Sequence, residues 1–373
     1  MKKVLFMPFL QLPSGHHQVA DAIIESLTFI DPTLICHKVD ILQYSYGKIE
    51  ALVSSIYLKW IHLFPKTYSW LYRKSVYQNI EKDKEYVLFE ILFKRFVYRL
   101  ISESKPNLII CSHALPSYML NKLKEQDILK TPVINVYTDY FIHSFWGLQH
   151  IDYHFVAHQS MKSFLLKKGV DEQKIFVTGI PVHPTLTKNL KKEVTPPTQI
   201  TCTIMGGSLG VGAIEELSKM IQSTKNITFY ILCGKNQRLF NKLKNLNHSR
   251  IFPLPYLSSR EEMDALYQKT DVVLTKPGGV TISECLIKKI PVFIYHALPG
   301  QEEINLQELL RMGLVVKLPK LKEITDFESL LFSESKKLKS LYNSIDLFHN
   351  TLNKTSVGEI IHNLLKERGQ TYA

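Results

Sequence analysis

The stretch Thr275-Lys276-Pro277-Gly278-Gly279-Val280-Thr281-Ile282-Ser283-Glu284 joins an apolar run to a helical segment through a glycine turn. Residues 271–274 read as a buried strand, and residues from about 280 to 287 as the helix that follows. A strand that turns through glycines into a helix presents free backbone N–H groups and the positive end of the helix dipole, which suits a phosphate. Gly278 and Gly279 let the backbone approach the anion, and Thr281 adds a hydroxyl donor. Glu284 lies about one turn further on and faces the same end of the helix, where its carboxylate can accept the two hydroxyls of a ribose. After one more strand, at 291–295, comes Pro299-Gly300-Gln301-Glu302-Glu303-Ile304-Asn305. Gln301, Glu302 and Asn305 offer amide and carboxylate groups suited to sugar hydroxyls. A lone glycine turn is an ordinary connection. Diphosphate, ribose and sugar partners together in one short region point to a nucleotide-sugar site.

The same alternation extends outward from this stretch. Strands are expected at 4–9, 34–40, 107–111, 133–137, 153–157 and 175–178, and again at 199–205, 229–233, 271–274 and 291–295. Helical segments fall between them, among them residues 86–101, 159–168 and 260–268, with two more near 335–348 and 356–367. Two such halves imply an α/β protein of two doubly wound, Rossmann-like domains. The basic, proline-containing stretch 188–197 reads as a linker. The expected organisation is a first domain at 1–180, a linker at 181–198, a second domain at 199–345 and C-terminal helices at 346–373.

With 373 residues the chain has room for two separate cores, and 45% hydrophobic against 21% charged residues is ordinary for a globular protein. The formal net charge of +12 suits a polyanionic partner, either an anionic membrane surface or nucleic acid. No finger spacing, RNP-like run or recognition helix occurs, so nucleic-acid binding is not expected. Cys36, Cys111, Cys202, Cys233 and Cys285 are widely scattered and have no metal-ligand spacing. They read as reduced, buried thiols of a cytosolic protein. The apolar start is broken by Pro8, Gln11 and Pro13, so it reads as a first strand rather than a targeting segment. No uncharged apolar run reaches the about 20 residues a membrane span needs.

The 275–305 region resembles the C-terminal domain of the monogalactosyldiacylglycerol synthases and the bacterial diacylglycerol glucosyltransferases. It is more distantly similar to the lipid-linked N-acetylglucosaminyltransferase of peptidoglycan synthesis. The likeness continues along the chain. Ser14-Gly15-His16-His17 matches a glycine-rich loop ending in Gly-His, whose histidine is the family's proposed general base. His16 is therefore the candidate base, since a neutral imidazole can take the proton of an acceptor hydroxyl. Pro13 and Ser14 stand where the family commonly has glycines, and His17 is a second candidate. Ser112-His113 resembles the family's Ser/Thr-His-Pro loop without giving His113 a role. Thr138-Asp139-Tyr140-Phe141-Ile142-His143-Ser144-Phe145-Trp146 closely matches the bacterial lipid glucosyltransferases. Asp139 either supports a catalytic histidine or the acceptor, or caps the following turn; His143 and Trp146 fall to the acceptor or membrane side.

His183 replaces the arginine that frequently follows Gly-Ile-Pro-Val in the family. Gly206-Gly207-Ser208 resembles its Met-Gly-Gly-Gly loop, which makes Gly207 and Ser208 further diphosphate candidates. The match to a dinucleotide fingerprint is loose and lacks the acidic residue at the next strand's end. Leu257 would end the strand that offers backbone groups to uracil. Between 44 and 100 the chain interleaves aromatic and basic residues, including Trp60, Trp70, Arg73 and Lys74. That mixture suits a membrane interface, and in the family this region approaches the membrane and admits the lipid acceptor.

The resemblance implies a GT-B fold, with two Rossmann-like domains facing a central cleft and the last helix crossing back onto the first domain. It implies an inverting transfer of a hexose from a UDP-sugar, foremost UDP-glucose, to diacylglycerol at the cytoplasmic face of the cell membrane. The UDP-sugar is the donor substrate and no cofactor is expected. No Asp-x-Asp occurs in the chain, so no metal is expected either. The alternatives are a transferase with another lipid-linked acceptor, a UDP-N-acetylglucosamine 2-epimerase, and a non-catalytic UDP-sugar sensor.

Overall fold

The computed structural model describes residues 1–9, 15–46, 85–187, 199–206, 221–320, 323–324, 326, 328 and 335–370. The chain divides into two compact units, Met1–His183 with Thr351–Ala373, and Pro184–Asn350.

The first unit is built on six parallel strands, β1 (Lys3–Met7), β2 (Ile35–Lys38), β3 (Leu108–Cys111), β4 (Val133–Val136), β5 (Tyr153–Val156) and β6 (Ile175–Val177), in the order β2-β1-β3-β4-β5-β6. β3 and β4 are buried at every position. Strands covered on both faces read as continuous apolar runs, because a parallel sheet needs helices on either side. Each fully buried aliphatic side chain there contributes about 1.5–3 kcal/mol. The described helices are α1 (Gly15–Ile30), α2 (Ile41–Tyr46), α3 (Val87–Ser104), α4 (Ala114–Glu125) and α5 (Gln159–Lys167). α1 turns Val19, Ala20, Ile23 and Leu27 inward.

The second unit starts with a helical turn, α6 (Pro184–Thr187). It repeats the plan with β7 (Ile200–Met205), β8 (Ile227–Leu232), β9 (Ile251–Leu254), β10 (Val272–Thr275), β11 (Val292–Ile294) and β12 (Val316–Lys317), all parallel, in the order β12-β11-β10-β7-β8-β9. Its helices are α7 (Gln237–Asn245), α8 (Arg260–Lys269), α9 (Gly279–Ile287), α10 (Gln301–Arg311) and α11 (Ser335–Asn350). Ile200, Cys202, Ile204, Phe229, Ile231, Val272, Leu274 and Phe293 form its core. The last helix, α12 (Val357–Gln370), belongs to the first unit and packs along α1. Gly358 permits that contact, since a Cβ there would lie 2.2 Å from Ser26 Oγ.

In both sheets the strand order reverses once. The chain runs outward from β1 to β2 and then returns to β3 on the other side of β1. Likewise it runs from β7 through β8 to β9 and returns to β10 beside β7. Loops leaving the carboxyl ends of strands at such a reversal diverge to opposite faces and open a crevice. The two places to look are therefore the ends of β1 and β3, and of β7 and β10.

Three details differ from the expected outline. Residues 301–311, read only as a polar run, form α10, and residues 114–125 form α4 rather than a loop through Pro116. Proline is tolerated there because first-turn N–H groups have no helical acceptor. The second unit also runs past 345, because α11 continues to Asn350. His349 Nε2–H donates to Leu286 O at 2.9 Å, and Lys289 pairs with Asp346 at 2.6 Å, which holds the last turns of α11 in that unit.

Candidate active site

At the first reversal, the loop after β1 delivers His16 into the first turn of α1, and its ring meets the ends of β3 and β4. Nδ1 lies 2.8 Å from Ser112 O and 2.8 Å from Thr138 Oγ1. A carbonyl oxygen can only accept, so Nδ1 carries the hydrogen and Nε2 holds the lone pair of the neutral ring. That tautomer is the one a general base needs. Burial lowers the His16 pKa from its ordinary value; the charge of Asp139 and the bond to Ser112 O oppose the drop, and His17 adds to it. The N-terminal end of α1 disfavours the cation as well. Asp139 follows β4 and is 8% exposed.

Two more histidines surround this ring. His113 caps α4, its Nδ1 accepting from Leu115 N at 3.1 Å, and its ring stands edge-on to His16 at 4.7 Å. Burial, then the neighbouring His16 and His143, hold its pKa well below the usual value. His143 Nδ1 accepts from Phe145 N at 3.3 Å, and burial together with His16 pushes its pKa down to about 3. These rings stay neutral at physiological pH, whereas the charge of Asp139 acts on His16 and favours its protonated form. His17 turns the other way, with Nε2 3.6 Å from Asp40 Oδ2. Asp40 in turn accepts from Leu42 N and Gln43 N and caps α2. His17 is thereby paired with the residue that caps α2.

At the second reversal, β10 ends in Lys276-Pro277-Gly278. Gly278 N–H is taken by Lys276 O at 2.8 Å, and Gly278 O accepts the first helical bond of α9, from Ile282 N at 3.1 Å. Gly278 therefore contributes space rather than a donor. A Cβ built on it would meet nothing within 4 Å, and α9 has no side-chain cap. The N–H groups of Gly279, Val280 and Thr281 are the first-turn donors without helical acceptors, and an anion is a natural cap for them. Thr281 is partly exposed at this end.

Glu284 is 7% exposed, and its Oε2 accepts from the hydroxyl of fully buried Tyr267 at 2.8 Å. Burial raises the Glu284 pKa, while the Tyr267 bond and Arg260 act against it and favour the carboxylate. α10 starts at the end of the adjacent strand, β11. Its cap, Gly300, has φ +88°, a conformation that favours glycine. Gly300 N–H donates to Glu303 Oε2 at 3.2 Å. Glu302 is already engaged, through Oε1 with Lys276 Nζ at 3.3 Å and through Oε2 with Leu298 N at 2.6 Å. Gln301 is partly exposed at the first position of α10, and Asn305 is 1% exposed. Leu257 sits partly exposed in the loop after β9.

The structure thus places His16, Asp139 and His143 past the carboxyl ends of β1 and β4 in the first unit. In the second unit it places Gly278, Gly279, Thr281 and Glu284 after β10, and Gln301, Glu302 and Asn305 after β11. Trp146 is 6% exposed, with its ring centroid 4.5 Å from that of Tyr137, so it offers little surface to a membrane; together with His143 it lines a pocket of the first unit. Gly207, Ser208, Trp60, Trp70, Arg73 and Lys74 lie outside the described residues. Sequence reasoning gave no role to Ser112, Thr138, Tyr267 or Lys276. Among the described residues, no group of three or more His, Cys, Asp or Glu side chains is placed to hold a metal ion.

Replacing Tyr267 with phenylalanine removes the donor that orients Glu284 and helps keep it ionised. UDP binding is expected to weaken about tenfold. The loss should grow at mildly acid pH, where Glu284 takes up a proton more readily without that bond. Calorimetric titration of UDP at mildly acid and mildly alkaline pH checks both effects.

A family model described as monogalactosyldiacylglycerol (MGDG) synthase matches residues 16–182. The uncharacterized glycosyltransferase YkoN of Bacillus subtilis (strain 168) is 39% identical over 373 residues, covering 100% of this chain and 99% of its own. The chain belongs to the MGDG synthase family of glycosyltransferases. Another relative is a processive diacylglycerol beta-glucosyltransferase of Bacillus cereus (strain B4264), 29% identical over 81% of this chain and 79% of its own. The crystal structure of Acinetobacter baumannii MurG shares the fold, with a TM-score of 0.62 at 13% identity over 98% of this chain and 100% of that one. The match to the family model stops one residue before the first unit gives way to the second at His183. The similarity to YkoN carries through the second unit as well. The protein is a GT-B glycosyltransferase of this MGDG synthase family, built on two six-stranded parallel sheets.

Proposed function

We propose that this glycosyltransferase moves a hexose from a UDP-sugar, with UDP-glucose as the first candidate, to diacylglycerol, acting peripherally on an anionic membrane at its cytoplasmic face. The observation that supports this reading most is the His16 ring. Nδ1–H is committed to Ser112 O, leaving Nε2 as a base at the strand-order reversal of the first unit. In the proposed step the acceptor hydroxyl oxygen attacks the anomeric carbon, and the bond from that carbon to the β-phosphate oxygen breaks. UDP departs with the bonding electrons, the hydroxyl proton passes to His16 Nε2, and Asp139 stabilises the imidazolium. Gly279, Val280 and Thr281 at the start of α9 receive the diphosphate, and Glu284 takes the ribose hydroxyls. The B. cereus relative, a processive diacylglycerol beta-glucosyltransferase, supports the choice of glucose and of diacylglycerol. Among the described residues no helix is long and apolar enough to cross a membrane.

The test incubates purified protein with anionic vesicles containing diacylglycerol and a panel of radiolabelled UDP-sugars, with and without a chelator. Label is expected in the lipid phase, highest with UDP-glucose and unaffected by chelation. Donor binding without any lipid label would overturn the acceptor, an epimerised donor would identify an epimerase, and activity lost on chelation and restored by Mg²⁺ or Mn²⁺ would overturn metal independence.

A further inference from the structure

Lys276 has no role in the sequence reading, yet it is 9% exposed and immediately precedes Pro277-Gly278 at the anion-receptive start of α9. Its Nζ is 3.3 Å from Glu302 Oε1, longer than the 2.7–2.9 Å of a tight charge-assisted bond. Glu302 is held from the other side, because Oε2 accepts from Leu298 N at 2.6 Å. The carboxylate is therefore anchored to backbone, while the lysine reaches it through a flexible stem. His296 stands near both; burial, then the charge of Lys276, lowers its pKa, with Glu302 opposing. It stays neutral and leaves Lys276 as the cation paired with Glu302.

We propose that Lys276 neutralises the diphosphate of the donor and of departing UDP, and that Glu302 holds it in reserve while the donor is absent. This inference rests on the UDP-sugar reading of the same corner. A helix end supplies only about half a charge, and a diphosphate leaving group develops more than that. When Nζ turns to the phosphate, Glu302 Oε1 loses its partner and becomes an acceptor for a hexose hydroxyl. Recognition of the diphosphate and recognition of the sugar are then linked through one side-chain exchange.

The two partners of the pair should respond in opposite directions. Lys276→Met is expected to weaken UDP binding about 10- to 100-fold and to leave uridine, which has no phosphate, unaffected. Glu302→Gln removes the competing anion, so UDP should bind about 2- to 5-fold tighter, while the advantage of UDP-glucose over UDP shrinks. Equilibrium titrations of uridine, UDP and UDP-glucose against the full chain and both variants measure this. UDP binding unchanged in Lys276→Met, or weakened in Glu302→Gln, would reduce the pair to a structural brace and overturn the proposal. Should Lys276→Met fail to fold, the sign of the Glu302→Gln effect decides alone. A wild-type chain that binds neither uridine nor UDP would instead sink the UDP-sugar reading.

Discussion

Replacing His16 with alanine is expected to lower hexose transfer by about 100- to 10,000-fold, the range typical of losing a positioned general base. UDP affinity should be unchanged, because the groups assigned to UDP belong to the other unit. The expectation rests on geometry more than on residue type. A histidine whose Nδ1–H were not engaged would populate both tautomers and turn freely about its side-chain bonds. Here two oxygens, each 2.8 Å from Nδ1, define the ring plane and the protonated nitrogen. Initial-rate assays with saturating donor, paired with UDP titration, separate the chemical step from binding. A loss of less than tenfold with UDP affinity intact would remove His16 from the role of base.

The second large effect concerns Asp139. Its carboxylate raises the His16 pKa against the dominant lowering by burial, and the same charge would favour the imidazolium in the proposed step. Asp139→Asn is expected to cost about 100- to 1,000-fold in kcat. It should also move the acid limb of the pH–rate profile. With the neutral ring as the proposed base, activity should rise with pH through the His16 pKa, which burial lowers from the usual histidine range in the wild type. Without the carboxylate the pKa falls further, so the limb shifts to lower pH as the plateau drops. Asparagine caps a turn about as well as aspartate. A residue that merely capped the turn after β4 would therefore show neither change. The pH dependence of kcat in the two proteins distinguishes the roles.

Much of the fold was legible because its signals are local. Buried parallel strands such as β3 and β4 are unbroken apolar runs, and the passage from β10 through Pro277-Gly278 into α9 is carried by turn chemistry within a few residues. The candidate site residues carry local signals of the same kind, since Asp139 and Gly278 lie just past strand ends and His16 and Glu284 sit on helices that follow strands. What the sequence could not show is which distant groups meet. Ser112 and Thr138 are 96 and 122 residues from His16 and reach it only because strand order places β3 between β1 and β4. Tyr267 and Lys276 acquire their meaning from partners on neighbouring elements, Glu284 on α9 and Glu302 on α10. Trp146 sits in a motif that reads as facing the acceptor or the membrane, and its packing on Tyr137 appears only in the structure. Glu302 reads as a partner for sugar hydroxyls, although acidic residues are also what the first turn of a helix favours. The signal for α10 was present in Gly300 followed three residues later by Glu303.

The most direct test of the account is the stereochemistry of the product. Glycolipid made from UDP-α-glucose and diacylglycerol would be isolated, and the configuration of its anomeric proton read by NMR. A single displacement by an acceptor activated at His16 Nε2 predicts a β-linked hexose. An α-linked hexose would require two displacements or attack from the side of the leaving group, and would contradict a mechanism with His16 as its base.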